Sequence, residues 1–227
     1  MATNGEAGQI VVIAGTTGSG KTTSCRAFLD AADDIWLHFG IDTYLGTMLP
    51  RKFVDGGARC EECLHMVPLD PAIPSGPAEM KLGPRGLPLI DTFHNMAATA
   101  ARSGHNVVMD HVPTMSPPLL QSCVAALKDL PVLFVALKPP RDVLMKRIDG
   151  RLAEVIATLG PEQGVIVNER CKHASDYIFG EIFAHEHFDL VLDTARFSPG
   201  EVVAEIKMRL RQGPGDAFRT LARALDD

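Results

Sequence analysis

The sequence predicts an α/β fold built on a parallel sheet. Three observations predict it: short apolar runs of strand length, helical patterns between them, and a glycine-rich turn joining the first run to the first helical pattern. Apolar runs without alternation suit strands covered on both faces. Strands and helices in alternation imply βαβ units with right-handed crossovers. A chain of 227 residues fits one domain spanning 1–227, or one domain with a small inserted lid.

The apolar runs lie at 9–14, 35–39, 106–109, 131–137 and 190–192. Between them, Ser116-Pro117-Pro118 offers an N-cap and a first-turn proline to a helix carrying Leu119, Leu120, Cys123, Val124 and Leu127. Ser198 and Glu201 have capping-box spacing ahead of a stripe of Val202, Val203, Ile206 and Leu210. Residues 50–88 break the pattern. Seven of the 16 prolines fall there, with five glycines, so little regular structure is expected. A segment of that kind and length reads as a functional insertion, placed here over an acceptor side. Residues 214–227 read as a short amphipathic appendage.

Composition narrows the partners. With 22 basic and 28 acidic residues the net charge is −6, without the footprint that non-specific nucleic-acid binding needs. No apolar stretch approaches the roughly 20 residues of a membrane span. The polar lead of residues 1–9, and an apolar run that stops at Gly15, argue against a signal peptide. Five cysteines outside any disulfide framework suit a reducing cytoplasm.

Gly15-Thr16-Thr17-Gly18-Ser19-Gly20-Lys21-Thr22 matches the Walker A pattern between a buried strand and a helix-forming run at 23–32. Glycines let the backbone wrap so that successive N–H groups face phosphate oxygens. The helix N-terminus, running into Thr23, adds its unsatisfied donors and dipole. Lys21 brings a cation to the β- and γ-phosphates, and the Thr22 hydroxyl suits Mg²⁺. The expectation is a P-loop NTPase fold that binds ATP and Mg²⁺. No Asn-Lys-x-Asp motif marks a GTPase, and the third run ends in a single acid, Asp110-His111. Five strands in a chain this short suit a nucleoside/shikimate-kinase-like five-stranded parallel sheet with helices on both faces and a small lid at 139–160. Arg147 and Arg151, four apart, would share a helix face. In small kinases that this layout resembles, the first such arginine stacks on adenine and the second reaches the transferring phosphate from the lid; a planar guanidinium suits both tasks.

Four blocks then stand out: Ile35-Trp36-Leu37-His38-Phe39-Gly40-Ile41-Asp42-Thr43, residues 104–112, residues 130–135 and residues 185–194. With the P-loop, this series resembles the chloramphenicol phosphotransferase-like family, in blocks from the P-loop to Thr194. The resemblance implies a P-loop kinase fold and phosphorylation of an antibiotic hydroxyl. It matches Asp42 to the family's general base. Phosphoryl transfer to an alcohol needs the hydroxyl oriented and its proton accepted, the work of a carboxylate; Asp42 lies just past the second strand, where open α/β sheets bind ligands. The competing reading makes Asp42 an N-cap for a helix starting near Thr43. Asp110 would hold a Mg²⁺-bound water or position the acceptor. The chain departs from the family in the segment 50–88 and in Asp110-His111, both on the acceptor side.

Cys60-Glu61-Glu62-Cys63 with His65 resembles half a zinc site, but no second pair follows, and a pair of loop thiols is the plainer reading. The function expected is an ATP-dependent O-phosphotransferase, catalytic through Asp42, Lys21 and Arg151. Its acceptor would be a small hydroxylated molecule such as a chloramphenicol-like or nucleoside antibiotic. A metabolic sugar or nucleoside kinase, and a nucleotide-binding regulatory protein, remain the alternatives.

Overall fold

The first strand, β1 (Ile10–Ala14), is wholly buried and has a parallel neighbour on each side. The chain continues through α1 (Lys21–Asp30), β2 (Trp36–Gly40) and α2 (Ile41–Thr43), which widens into a π-helical turn at Tyr44–Met48. Then come β3 (Leu64–Pro68), β4 (Ala78–Leu82), α3 (Gly86–Arg102), β5 (Asn106–His111), α4 (Leu119–Leu127) and β6 (Val132–Leu137). The last part is α5 (Arg141–Asp149), α6 (Leu152–Leu159), α7 (Pro161–Ile182), β7 (Leu190–Leu192), α8 (Pro199–Leu210) and α9 (Ala217–Asp226). This computed structural model describes residues 7–226; the polar lead at 1–6 and the final Asp227, on which the leader and tail readings partly rest, lie outside the described residues.

The main sheet runs β2–β5–β1–β6–β7, parallel throughout. Its two faces follow from period-two alternation. Ile10, Val12 and Ala14 of β1 join Val132 and Phe134 of β6 in a core closed by α3, α4 and α9. Val11, Ile13, Leu133, Val135 and Leu137 face the other way, against Cys25 and Phe28 of α1 and Val202, Val203 and Ile206 of α8. Each such side chain contributes roughly 1.5–3 kcal/mol of burial. The Ser198 capping box starts α8 as its spacing implies, with Ser198 and Glu201 bonded reciprocally.

Three local expectations are corrected. The segment 50–88 does hold regular structure: β3 and β4 pair antiparallel from Leu64–Leu82 to Pro68–Ala78. Of its prolines, Pro68 ends β3, Pro71, Pro74 and Pro77 lie in the connecting loop, and Pro50, Pro84 and Pro88 lie outside the hairpin, so none interrupts the ladder. The helix after Ser116 starts only at Leu119, past both prolines, because the Leu120 N–H is taken by the Thr114 carbonyl and Ser116 caps nothing. And α5 stops at Asp149, with Arg151 as the N-cap of α6, so Arg147 and Arg151 do not share one helix face.

His111, the last residue of β5, is fully buried against α3 and α4 in a polar chain. Ser122 has one hydroxyl proton, which goes to Asp91 Oδ1 at 2.5 Å. Its oxygen therefore accepts from His94 Nδ1 at 2.7 Å. His94 Nε2 is left to accept from His111 Nε2 at 2.9 Å, which assigns both tautomers as neutral. Burial pushes His94 down to about 3 and His111 well below the ordinary imidazole range. The unfolded chain, with a histidine value near 6.5, takes up a proton that the folded His94 refuses. Stability should therefore fall as pH drops from about 6.5 toward 3, by about 1.4 kcal/mol per pH unit for each such imidazole. Urea unfolding at pH 7 and pH 5 tests this: the loss on acidification should be smaller in His94→Gln than in the wild type.

Candidate active site

Gly15 to Thr22 leave the carboxyl edge of β1 and turn into α1. Gly18 and Gly20 have φ of 81° and 94°, a left-handed backbone that favours glycine. At Gly15 a Cβ would stand 2.5 Å from Ser19 Oγ, so the loop closes only without a side chain there. The buried Thr16 hydroxyl contacts the carbonyl and hydroxyl of Ser175 on α7, both at 2.9 Å. The Ser175 hydroxyl lies 3.0 Å from the Thr17 carbonyl. On the other flank, the Thr194 hydroxyl, just past β7, donates to the Ser19 carbonyl at 2.8 Å. The loop is thus pinned from both sides through its carbonyl and hydroxyl groups, and the Ser19 N–H closes it internally onto the Thr16 carbonyl at 3.1 Å.

Lys21 is buried, its Nζ donating to the Thr16 carbonyl at 3.1 Å and lying 3.9 Å from Asp110 Oδ1. Thr22 is exposed to the cleft and donates its hydroxyl to Asp110 Oδ2 at 2.7 Å. Asp110 Oδ1 is buried without a hydrogen-bond partner. A hydroxyl next to a half-satisfied carboxylate beside a phosphate cradle is an oxygen donor set fitted to Mg²⁺. Asp110 lies inside β5 because that strand runs two residues beyond the apolar run that betrays it in the sequence.

Arg147 spreads its guanidinium over three acceptors: the Gly18 carbonyl at 3.0 Å, the Thr194 hydroxyl at 2.9 Å and the Thr194 carbonyl at 2.7 Å. It lines a cavity of about 370 Å³ with Gly20, Thr23, Thr194, Phe197 and Arg151. Both arginines thus border one cavity beside the helix N-terminus, although they belong to different helices.

Asp42 lies across the cleft. The helix that carries it starts at Ile41 with Gly40 as the cap, so Asp42 is not an N-cap. It opens into a cavity of about 290 Å³ that also meets Thr17 of the P-loop. Most of the other walls are apolar, among them Leu45, Phe53, Met66, Met80 and Ile178. The carboxylate reaches solvent, yet the surrounding cleft raises its pKa by desolvation; Lys21 opposes that rise and Asp110 adds to it. The Pro/Gly-rich segment supplies much of this wall, through Phe53, Asp55 and the strands β3 and β4.

Cys60 opens one 3₁₀ turn that Cys63 caps, and His65 Nδ1 faces the Cys63 carbonyl. Among the described residues, the groups that bring three such ligand atoms together are His94–His111–Cys123 and Cys25–His38–Asp110. Sequence reasoning missed Ser175 and Thr194 as supports of the P-loop. Thr194 closes one of the four blocks quoted above, which is a signal; Ser175 lies in an otherwise ordinary helix and has none.

Residues 8–211 match the family of chloramphenicol phosphotransferase-like proteins. The chain belongs to that family. A search of the curated proteins finds no significant match. Among solved structures, the chain is similar to APE1195, at 17% identity and a TM-score of 0.53 over 91% of this chain and 96% of the other. It is also similar to a candidate kinase from Chloroflexus aurantiacus J-10-fl, at 16% identity and 0.52, over 90% and 99%. These likenesses agree on the fold. For a member of the chloramphenicol phosphotransferase-like family, the P-loop described here supports nucleotide binding and phosphoryl transfer to a small molecule. No helix among the described residues is long and apolar enough to cross a membrane.

Replacing Arg147 by Lys keeps the charge and loses the planar fork that spans Gly18 and Thr194. The expected outcome is a rise of roughly tenfold in KM for ATP with a smaller change in kcat, the pattern of lost uniform binding. Steady-state kinetics at saturating acceptor check this.

Proposed function

We propose that this protein transfers the γ-phosphoryl group of ATP to a hydroxyl of a small, largely apolar molecule, of the kind that hydroxylated antibiotics present. The observation that carries the proposal is Asp42 at the polar end of an apolar cavity that opens on the P-loop. A sugar carries a hydroxyl on nearly every carbon, and its site would need polar partners around the ring. Here the polar lining reduces to Asp42, Thr17, Asp55 and His65 against a majority of apolar walls. That contrast favours an antibiotic-like acceptor over a metabolic sugar. A regulatory binder would need no carboxylate facing a second cavity.

The residues take the following parts. Backbone N–H groups of the loop from Gly15 to Thr22, with Thr23 at the mouth of the helix, bind the ATP phosphates. Lys21, held by the Thr16 carbonyl, compensates charge that develops on the transferring group. Thr22 and, through water, Asp110 would hold Mg²⁺, which would supply charge neutralisation at the phosphates. Arg147 lies against the base, and Arg151 turns toward the phosphates when the lid at 139–160 closes. Asp42 orients the acceptor hydroxyl and accepts its proton as the oxygen–phosphorus bond forms and the bond to the departing ADP oxygen breaks. The desolvation that raises Asp42 suits this, since a stronger base holds the proton better near neutral pH. ATP as donor and five free thiols support a cytoplasmic setting.

Asp42→Asn should retain ATP binding and lose roughly 10²-fold or more in kcat. The acid limb of the wild-type profile should lie above the ordinary carboxylate value of about 4 and vanish in the variant, because the folded carboxyl titrates higher than a free one. Wild-type turnover in a folded Asp42→Asn protein would remove the base from the mechanism.

The acceptor class is tested by presenting ATP with a panel of phenylpropanoid, macrolide and nucleoside antibiotics beside hexoses and ribonucleosides. Mass spectrometry detects one added phosphate. Turnover is expected on apolar hydroxylated members, and a preference for hexoses would overturn the reading of the cavity.

A further inference from the structure

We propose that Cys25, His38 and Asp110 form a binding site for a thiophilic divalent cation of the zinc class, next to the phosphate cradle. Their ligand atoms, one from each residue, all lie within 4.8 Å of one another. The convergence follows from the sheet. His38 is paired with Val108 and Gly40 with Asp110, so His38 and Asp110 stand on the same face of adjacent strands. Cys25 on α1 packs over that face beside Val108.

The three donors are unequal in a way that suits a bound ion. Cys25 is fully buried, Asp110 is 5% exposed, and Asp110 Oδ1 has no hydrogen-bond partner. His38 is exposed at the sheet edge, so the ion has a route from solvent and the imidazole can swing to meet it. Thiolate, imidazole and carboxylate together select zinc over magnesium, which takes oxygen ligands alone. Three protein ligands with the solvent side open match an open tetrahedral site. On binding, the Cys25 S–H bond breaks, its proton leaves to water, and a sulfur–metal bond forms; thiolate and carboxylate then balance the two positive charges.

Asp110 is the link to activity. It already engages Thr22 through Oδ2 and lies near Lys21 through Oδ1. A zinc ion drawing on that carboxylate takes charge away from the side that Mg²⁺ and Lys21 use, so occupancy inhibits. This consequence rests on the phosphotransferase reading above; the binding itself does not.

The test titrates the metal-free protein with Co²⁺, then displaces it with Zn²⁺. One equivalent of cobalt is expected to give a near-ultraviolet thiolate charge-transfer band that zinc abolishes, with one zinc per chain by elemental analysis. The band should be lost in Cys25→Ser, and in Cys25→Ala should the serine fold poorly. Affinity should fall at least about tenfold in His38→Gln, the lower end for losing merely an outer partner of a metal site. Cys123→Ser, which alters the other triad, should change neither. No band, a band that survives both Cys25 variants, or unchanged affinity in His38→Gln would each overturn the site. In the activity arm, zinc should inhibit the wild type and inhibit His38→Gln at least about tenfold less, with zinc-free turnover equal in the two. Cobalt binding at this site without any phosphoryl transfer would leave the site standing and overturn the function proposed above.

Discussion

A P-loop works only if its N–H groups stay aimed inward before a ligand arrives, and that costs backbone freedom at every residue of the loop. The structure meets the constraint by hydrogen-bonding the loop's own carbonyls and hydroxyls outward. Ser175 holds Thr16 and Thr17, Thr194 holds Ser19, and Arg147 holds Gly18. Each partner lies more than a hundred residues away in sequence, on α7, α5 or the loop after β7. The strand order follows from the same need. β1 sits at the centre, flanked by β5 and β6, so the loop at its carboxyl edge is reached from both sides.

That arrangement divides the cleft chemically. The nucleotide side is polar and charged, with Lys21, Thr22, Asp110, Arg147 and Arg151 gathered around backbone donors. The Asp42 side is apolar, and its wall is borrowed from the β3–β4 hairpin, the π-helical turn and α7. In the function proposed above, one carboxylate at the junction would orient a hydroxyl while apolar walls fix the rest of the molecule by shape.

The sequence carries the strands and the P-loop openly, because each depends on local pattern: apolar runs and glycine spacing. Its failures share a different cause. The hairpin at 64–82 is hidden by prolines at the last ladder pair, Pro68, and in the loop to Ala78. The break between Arg147 and Arg151 falls at Gly150 and Arg151, two residues in an otherwise helical stretch. Ser175, His94 and the Cys25–His38–Asp110 group act only through tertiary pairing. Strand register brings His38 beside Asp110 and helix packing places Ser175, His94 and Cys25, and no spacing along the chain encodes either.

The long helix α7 joins the two halves of the cleft. Ser175 on it clamps the P-loop, while its neighbour Ala174 and, one turn on, Ile178 line the cavity of Asp42. A helix transmits displacement along its axis because its hydrogen-bond ladder resists bending. An acceptor that packs against Ile178 and Ala174 therefore bears on the same rod that fixes Thr16 and Thr17. Phosphate filling the loop bears on it from the other side. In the function proposed above, each ligand would stiffen a support that the other also uses, so ordering for the second would be partly complete once the first is bound. Coupling of this kind needs no domain movement. It needs one rigid element with a polar contact toward the donor and an apolar contact toward the acceptor, and α7 has both within four residues.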